Sequence, residues 1–253
     1  MSRETNVTVS VVIPVRDDAA LLDRCLEALA AQRMPPAEVL VVDNASRDDT
    51  ARVAREHGAR VVFEAAPGIP AAAAAGFDAA SGDVVARLDA DCVPPADWTE
   101  RIAGAFGRDP DLDGLTGTAT FEGGPAWLRR PASAAYLGAY LAAVAPALGH
   151  VPLFGSNFAV RRSAWRDVRD EVHRRDTLMH DDMDLSMHLG PCRRFRRDRR
   201  LSVAMSFRAL RGGGWLRVRR GFHSIVAHWP RELPWLRWWR RARWEVARRA
   251  ARG

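Results

Sequence analysis

The stretch VVARLDADC (residues 84–92) places two carboxylates, Asp89 and Asp91, directly behind an apolar run. Residues i and i+2 of an extended chain point to the same side, so both acids can face one object at the open end of a buried strand. Buried carboxylates are costly unless they are paired, hydrogen-bonded or bound to a metal. A hard divalent cation suits them, because Mg²⁺ takes oxygen ligands and shares its shell with substrate phosphates. An isolated Asp-x-Asp more often has a plain structural use, with one acid capping the next turn and the other solvated.

The segments around this stretch alternate between strand-like and helix-like patterns. Apolar, β-branched runs predict four strands, at residues 7–15, 38–46, 59–65 and 83–90, and the segments between them predict helices at 17–32, 47–58 and 69–82. Asp17 or Asp18 is the candidate N-cap of the first helix, and Gly58 suits the end of the second. This alternation predicts an α/β fold with a mostly parallel, doubly wound sheet, whose ligands sit beyond the carboxyl ends of the strands. Residues 14–16, 43–46 and 89–91 all fall at that edge.

A further helix to about Phe106 and a strand at 114–121 follow. Residues 131–160 then contain no Asp, Glu or Arg. A membrane span is compatible with this length. The Ala, Gly and Pro content makes the segment only weakly hydrophobic, which favours a buried helix beside the active cleft.

Composition narrows the protein class. The chain has 253 residues, 47% of them hydrophobic, which suffices for one α/β domain with at most a small appendage. The polar start shows no secretory signal, and three scattered cysteines indicate a reducing compartment. The net charge of +7 is unevenly spread, because half of the 38 arginines lie in residues 193–253 with three acids. A segregated basic end favours an anionic partner, phospholipid or nucleic acid.

The basic end is also rich in tryptophan. Six of the nine tryptophans lie in residues 212–253. On a helix, Trp235, Trp238 and Trp239 share one face and several arginines lie opposite, as in a helix resting on an anionic membrane. Equally, a terminal helix could pack its tryptophans on the domain and leave the arginines solvated. Nucleic acid is the least supported partner, since no other motif of that kind is present.

Five motifs in order resemble those of family 2 glycosyltransferases, which have the GT-A fold. They are VSVVIPVRDDAALLDRCLEALAAQ, VLVVDNASRDDTARVA, SGDVVARLDADCVPP, GSNFAVRRSAW and HDDMDLSMHL, and the resemblance covers about residues 7–189. The resemblance implies a GT-A-type sheet flanked by helices, a nucleotide-sugar donor, and Mg²⁺ or Mn²⁺ as cofactor. No single motif is specific, but their order and spacing agree.

The resemblance also implies roles for individual residues. The donor would be bound by the first loop, by the acid ending the second strand, by the first acid of Asp-x-Asp, and by the turn beside the donor sugar: Pro14, Val15, Arg16, Asp43, Asp89 and Asn157. Asp91, with Asp89, would hold the metal. Asp182 matches the general base, with Asp181 or Asp184 orienting it. The chain departs from the family in having Ala73 and Ala74 where an Arg-Asn pair is common. It also leaves the third metal ligand open, with His180 nearest by motif and His223 and His228 less favoured.

These observations predict a metal-dependent, inverting glycosyltransferase, because a metal on one side of the sugar and a base on the other give in-line attack. We expect residues 1–120 to bind the donor, 121–208 the acceptor, and 209–253 to form a basic helical extension. The unknown acceptor would be lipid-linked or part of the cell envelope. The enzyme would be cytoplasmic, peripheral on the inner face of the membrane. The alternatives are a retaining transferase, a nucleotidyltransferase, or a non-catalytic domain binding an anionic partner.

Overall fold

The computed structural model describes residues 7–123, 125–210 and 214–251. These contain one eight-stranded sheet in the order β3-β2-β1-β4-β7-β6-β8-β5, with helices packed against it. The strands are β1 Val9–Val15, β2 Glu38–Asp43, β3 Arg60–Phe63, β4 Val84–Leu88, β5 Cys92–Val93, β6 Gly114–Glu122, β7 Asn157–Arg161 and β8 Phe195–Ser206. The helices are α1 Ala19–Ala30, α2 Thr50–Glu56, α3 Ile69–Ala79, α4 Trp98–Arg108, α5 Ala126–Leu148, α6 Arg162–Val168, α7 Asp181–Leu189, α8 Gly214–Val226 and α9 Pro234–Ala250.

The first four strands form the predicted parallel unit. β1 pairs in parallel with β2 and β4, and β2 pairs with β3. β7 lies antiparallel between β4 and β6, and β8 then continues parallel to β6. The short β5 is antiparallel to β8. The sheet is therefore mixed but mostly parallel, as expected, and the carboxyl ends of β1, β2 and β4 meet at one edge.

Both faces of the central strands are buried, which explains their near-continuous apolar sequence. Val11 and Ile13 point into a core shared with α1 and α4, while Val12, between them, points into a second core with Phe77 of α3. All three valine and isoleucine side chains are fully buried. This period of two fixes the register, because a slip of one residue would exchange the two cores.

The strand β8 is absent from the sequence prediction. It runs for twelve residues, Phe195–Ser206, and its first half carries four arginines that mask any apolar alternation. Its second half buries Leu201, Val203 and Met205 in the sheet's core. The strand ends in a short 3₁₀ turn, Phe207–Leu210, which brings Arg208 back toward the carboxyl edge of the sheet.

The helix α5 is more exposed than expected. It is long and apolar enough to cross a membrane by length and composition, and only 28% of its most hydrophobic window is buried. It packs on β6 and α7, and Tyr140 on its inner side reaches the candidate site. The expectation of a helix beside the cleft is confirmed, but the expectation that it is buried is wrong.

The helix α9 packs on the domain mainly through the face that carries Arg237, and its tryptophan face is largely exposed. Arg237 is fully buried and donates to the carbonyls of Leu148 and Met187 and to Glu232. The three tryptophans at 235, 238 and 239 are between 52% and 60% exposed. The packing therefore matches neither interpretation in full: Trp235 and Trp239 are exposed, whereas the Trp238 indole donates to the Pro146 carbonyl of α5. Arginines on the inner side serve to dock the helix.

Candidate active site

The loops that follow β1 and β2 are tied to each other at the carboxyl edge. Pro14 and Val15 are buried at the end of β1, whereas Arg16 is exposed. Asp17 follows in the left-handed region, with φ of 52°, and its carboxylate accepts a hydrogen bond from the Arg47 amide at 2.6 Å. This cross-link fixes the shape of the first loop. The predicted donor-binding residues Pro14, Val15 and Arg16 thus lie at the expected edge of the sheet.

Asp43 lies at the end of β2, beside that loop. It is nearly buried, and its Oδ1 accepts a hydrogen bond from the Ser46 amide at 2.9 Å, which closes the turn. The next residue, Asn44, donates to the carbonyls of Glu64 and Ala66 and accepts from the Gly68 amide. Asn44 therefore fastens the chain between β3 and α3. Sequence reasoning did not assign it this role.

Asp89 and Asp91 lie close together beyond β4, as the i, i+2 spacing predicts. Asp89 accepts from Arg87 at 2.9 Å and from the Ser156 hydroxyl at 2.6 Å. Asp91 has a weaker partner, since Arg208 lies 3.9 Å away and is also paired with Asp18. Burial, and then the charge of Asp89, raise the pKa of Asp91 to about 6. Two partly buried carboxylates whose charges repel each other form an oxygen donor set that fits a hard divalent cation.

Arg87 connects this pair of acids with the HDDMD segment. It lies inside β4, is 2% exposed, and binds Asp89 with one guanidinium nitrogen and Asp181 with another at 2.5 Å. An arginine in an otherwise apolar strand is the signal that could have identified it, because a buried guanidinium requires anionic partners. Arg87 therefore brings the two acidic motifs, 92 residues apart, to one cleft.

Asp181 and Asp182 begin helix α7 on the far side of that cleft. Burial, only partly offset by Arg87 and reinforced by Asp182, raises the pKa of Asp181 to about 6. Asp182 is buried and accepts from the Gly155 amide at 2.8 Å and from the Tyr140 hydroxyl at 3.1 Å. Because Tyr140 also donates to the Leu153 carbonyl at 2.6 Å, its single proton is shared between two acceptors. Asp182 is thus held in one orientation by α5 and by the turn before β7.

The family is decided by comparison with known proteins. The family model "Glycosyl transferase family 2" matches residues 10–169, which is more than half of the chain. This chain belongs to glycosyltransferase family 2. The enzyme class predicted from the motifs is thereby confirmed.

Relatives and solved structures agree with this membership. This chain is 36% identical to "Glycosyltransferase AglE" of Haloferax volcanii over 125 residues. The match covers 46% of this chain and 41% of the relative. The chain is 33% identical over 135 residues, 49% of this chain and 40% of the relative, to the undecaprenyl-phosphate 4-deoxy-4-formamido-L-arabinose transferase of Aeromonas hydrophila. The matches thus span less than half the length of these relatives.

A solved structure shows the same fold. Glucosyl-3-phosphoglycerate synthase from Mycobacterium tuberculosis, in complex with Mg²⁺ and uridine diphosphate, superposes with a TM-score of 0.65 over 88% of this chain and 80% of that one. The sequence identity is 21%. The predicted GT-A-type fold is confirmed by this likeness.

Two of the predicted site residues, Asn157 and Asp184, use their polar atoms in contacts within the fold. Asn157 is fully buried, donates to the carbonyls of Thr118 and Leu201, and accepts from Trp98 at 2.9 Å. Its amide holds three strands and a helix together, so the structure gives it a role in the fold in place of the predicted donor contact. Asp184 is held by contacts with His173 and His228, although it also lines a small pocket beside Asp181. It does not contact Asp182 through its carboxylate, so the structure does not favour an orienting role.

The three histidines considered as a further metal ligand have other partners. His180 caps α7 and lies 3.3 Å from the Arg217 carbonyl, and His223 pairs with Asp176 at 2.6 Å. His228 is buried beside Asp184.

Sequence reasoning missed Arg87, Ser156 and Tyr140, which hold the acids from three different elements.

The family 2 chain has a small pocket where the Arg-Asn pair is missing. Ala73 and Ala74, both buried in α3, line it together with Phe77, Trp165 and Asp181. A basic residue, Arg174, also lines the pocket, but it pairs with Asp78. Apart from Arg174, Asp181 and Asp184, the residues that line this pocket are apolar.

Proposed function

We propose that this family 2 chain transfers a sugar from a nucleotide sugar to an acceptor with inversion, using Mg²⁺ or Mn²⁺ at Asp89 and Asp91 and Asp182 as general base. The observation that supports this most is the bridge from Asp89 through Arg87 to Asp181. It brings an acid pair suited to a metal and an acid pair suited to a base to the two sides of one guanidinium. In-line displacement at a sugar carbon needs a metal on one side of the sugar and a base on the other.

The donor side is the edge formed by residues 14–16, Asp43, Asp89 and Asp91. Asp43 is positioned to accept a hydrogen bond from a nucleobase or ribose through the oxygen not used by Ser46. A divalent cation bound at the acid pair would stabilise the negative charge that develops on the departing diphosphate. Arg208, weakly paired with Asp91, offers a second positive charge beside the same position.

The acceptor side contains two carboxylates that could remove the acceptor's proton. Asp182 is fixed by Tyr140 and Gly155, and a base must be positioned before its pKa matters. Asp181 is held by Arg87 and has a pKa raised to about 6, so it is the competing base. We assign the base to Asp182, with Asp181 and Arg87 setting the charge around it.

Paired substitutions separate these roles. We expect Asp182→Asn to lower kcat by about two to four decades, the usual effect of removing a general base, and to leave donor binding unchanged. Asp181→Asn, which keeps the shape but weakens the contact with Arg87, should have the smaller effect. The measurement is donor hydrolysis or transfer in single turnover, with nucleoside diphosphate affinity as the control. Full activity of Asp182→Asn together with loss in Asp181→Asn would reverse the assignment.

The metal is tested by binding alone. Nucleoside diphosphate should bind the native protein more tightly with Mn²⁺ than with chelator, and Asp91→Asn should abolish that difference. Asp97→Asn, which removes an acid paired with Arg101 on α4, should keep it. If the chelator leaves both binding and turnover of the native protein intact, metal dependence is excluded.

We further propose that the acceptor is reached at an anionic membrane surface. Exposed aromatic side chains lie on three neighbouring helices: Trp127 on α5, Trp215 and Phe222 on α8, and Trp235, Trp238 and Trp239 on α9. α9 is attached to α5 by the Trp238 indole, which donates to the Pro146 carbonyl at 2.7 Å. Exposed tryptophans on amphipathic helices are typical of interfacial attachment. A relative named for undecaprenyl phosphate supports a lipid-linked acceptor.

Vesicle flotation tests this surface. The protein should float with anionic vesicles, and Trp239→Ala, which removes an outward ring of α9, should weaken binding. Phe63→Ala removes an equally exposed aromatic side chain at the β3 edge of the sheet and should leave vesicle binding unchanged. The buried Arg237 cannot reach lipid, so salt should weaken binding less than the number of arginines would suggest. Failure of the native protein to float with anionic lipid, or an unaltered Trp239→Ala, would exclude the membrane proposal.

A further inference from the structure

Three histidines and one aspartate converge on the side of α7 that faces away from the donor cleft. Asp184 and His188 lie one turn apart on α7, His173 lies in the loop after α6, and His228 follows α8. Their ligand atoms all lie within 4.8 Å of one another. Asp184 and His228 are buried, and His173 and His188 are partly exposed. None of these groups contacts the Asp89–Asp91 pair described above.

Four of the distances within this cluster, named here the His₃Asp cluster, are close to those around a tetrahedral ion, and the fifth, between Asp184 and His173, has the length of a hydrogen bond. From Asp184 Oδ1, the distances are 2.7 Å to His173 Nδ1, 3.1 Å to His228 Nε2 and 3.3 Å to His188 Nε2. His188 Nε2 lies 3.3 Å from His228 Nε2 and 3.5 Å from His173 Nδ1. Zinc binds such ligands at 2.0–2.1 Å, so the edges of its coordination tetrahedron measure about 3.3–3.4 Å.

Hydrogen bonds alone account poorly for the His₃Asp cluster. His228 Nδ1 lies 2.7 Å from the Ser224 carbonyl, which can only accept, so this nitrogen carries the proton of a neutral ring. A further hydrogen bond from His228 Nε2 to Asp184 would require a doubly protonated ring. The Nδ1 of His188 points to the exposed carboxylate of Glu171, 3.4 Å away, so a hydrogen bond from its Nε2 to Asp184 would again favour a doubly protonated ring. Two cationic rings would then direct N–H groups at each other across 3.3 Å.

A metal ion removes this conflict. With Nδ1 protonated toward Ser224 and Glu171, the Nε2 atoms of His228 and His188 both present lone pairs to the centre of the cluster. An outer hydrogen bond such as that of His228 to Ser224 fixes the tautomer and the ring orientation of a metal-binding histidine. Asp184 is oriented in the same way, because its Oδ2 accepts from the His173 amide at 2.7 Å. Imidazole and carboxylate ligands in a tetrahedral arrangement favour zinc over Mg²⁺.

We propose that His173, Asp184, His188 and His228 form a structural Zn²⁺ site, separate from the Mg²⁺ or Mn²⁺ site of the donor cleft. All four positions come from the protein, which is the arrangement of structural zinc and not of catalytic zinc. The ion joins the loop after α6 and the end of α8 to the middle of α7. Because Asp181 and Asp182 lie in the first turn of the same helix, the zinc anchors the helix that carries them.

The test begins with untagged native protein, so that no added histidines bind the metal. Metal analysis should find a stoichiometric amount of zinc. After removal with a chelator, zinc at a hundredfold excess over its Kd should raise Tm by roughly 5–10 °C, and Mg²⁺ should not. Co²⁺ in place of zinc should give the visible absorption of a tetrahedral site. These readouts need neither substrate nor activity, so they are independent of the transferase proposal.

Variants locate the ion. His173→Gln, at the most exposed ligand, and His228→Gln should lose zinc to a weak chelator that the native protein withstands. Asp91→Asn, in the donor cleft, should retain it. His57→Gln is the matched control, since His57 pairs with Asp23 at 2.6 Å outside the cluster, and it should also retain zinc. Native protein without zinc and without a thermal response to it would overturn the proposal, as would a His173→Gln variant that retains zinc as firmly as the native protein.

Discussion

Replacing Asp91 by asparagine should stabilise the metal-free protein. Burial and Asp89 raise the pKa of Asp91 from 3.8 to about 6, so its ionised form is less favourable in the folded than in the unfolded chain. A shift of this size corresponds to about 3 kcal/mol of folding free energy that is lost when the group is charged. Asparagine carries no charge and should recover most of it. For a domain of this size, Tm should rise by roughly 6–12 °C.

The gain in stability of Asp91→Asn should depend on pH in a specific way. Above pH 6 the carboxylate is ionised in both states and the full penalty is present. As pH falls from about 6 to 3.8, the folded protein takes up the proton first, and the penalty disappears. Melting curves of native protein and Asp91→Asn in chelator should therefore differ most near neutral pH and converge near pH 4. Saturating Mn²⁺ should reduce the difference in Tm between the two proteins, because only the protein that retains the Asp91 carboxylate is stabilised by binding the metal.

Asp97→Asn is the matched control for this experiment. A hydrogen bond and charge from Arg101 lower the pKa of Asp97, so neutralising it should bring no gain. If Asp91→Asn has a Tm equal to or below that of the native protein at neutral pH without metal, ionised Asp91 does not destabilise the fold and the reasoning is wrong.

Three further substitutions test contacts and packing within the fold. Arg87→Met should lower the free energy of unfolding by about 3–5 kcal/mol in urea, because it leaves two carboxylates without their buried partner; an unchanged midpoint would refute the bridge. Gly117→Ala should be destabilising by at least 1 kcal/mol, roughly the cost of overpacking, since a Cβ there would lie 2.2 Å from the Asn157 amide nitrogen and 2.3 Å from the Leu201 carbonyl. Gly138→Ala, in α5 with nothing within 4 Å, should instead gain about 0.5–1 kcal/mol, and equal effects at both glycines would contradict the packing.

The parallel half of the fold could be predicted because its signals are local. Each of the first four strands is a short β-branched run with a helical segment after it, and Gly58 ends α2 with a positive φ of 73°, as predicted. Asp18 is the N-cap residue of α1, as predicted, but its carboxylate makes no capping hydrogen bond and pairs instead with Arg208 from the other end of the chain. A contact at that sequence distance has no local signal.

Other features depend on tertiary contacts that a sequence pattern cannot supply. The helical wheel of α9 separates tryptophans from arginines correctly, but it does not say which face packs inward. Arg237 faces inward because the carbonyls at the end of α5 and α7 offer it acceptors. The His₃Asp cluster shows the same limit. Only the spacing of Asp184 and His188 is visible locally, and His173 and His228 come from separate segments.

The guanidinium of Arg87 changes how the cleft meets a charged donor. The carboxylates of Asp89, Asp181 and Asp182 lie around it and Asp91 lies beside Asp89, and a nucleotide sugar carries two phosphates of the same sign. Arg87 gives one positive charge to both rims at once, and Arg208 adds another beside Asp91. With these two cations the cleft repels an incoming diphosphate less strongly than its acids alone would. A charged side chain inside strand β4 thus lowers the electrostatic barrier to binding of the donor diphosphate.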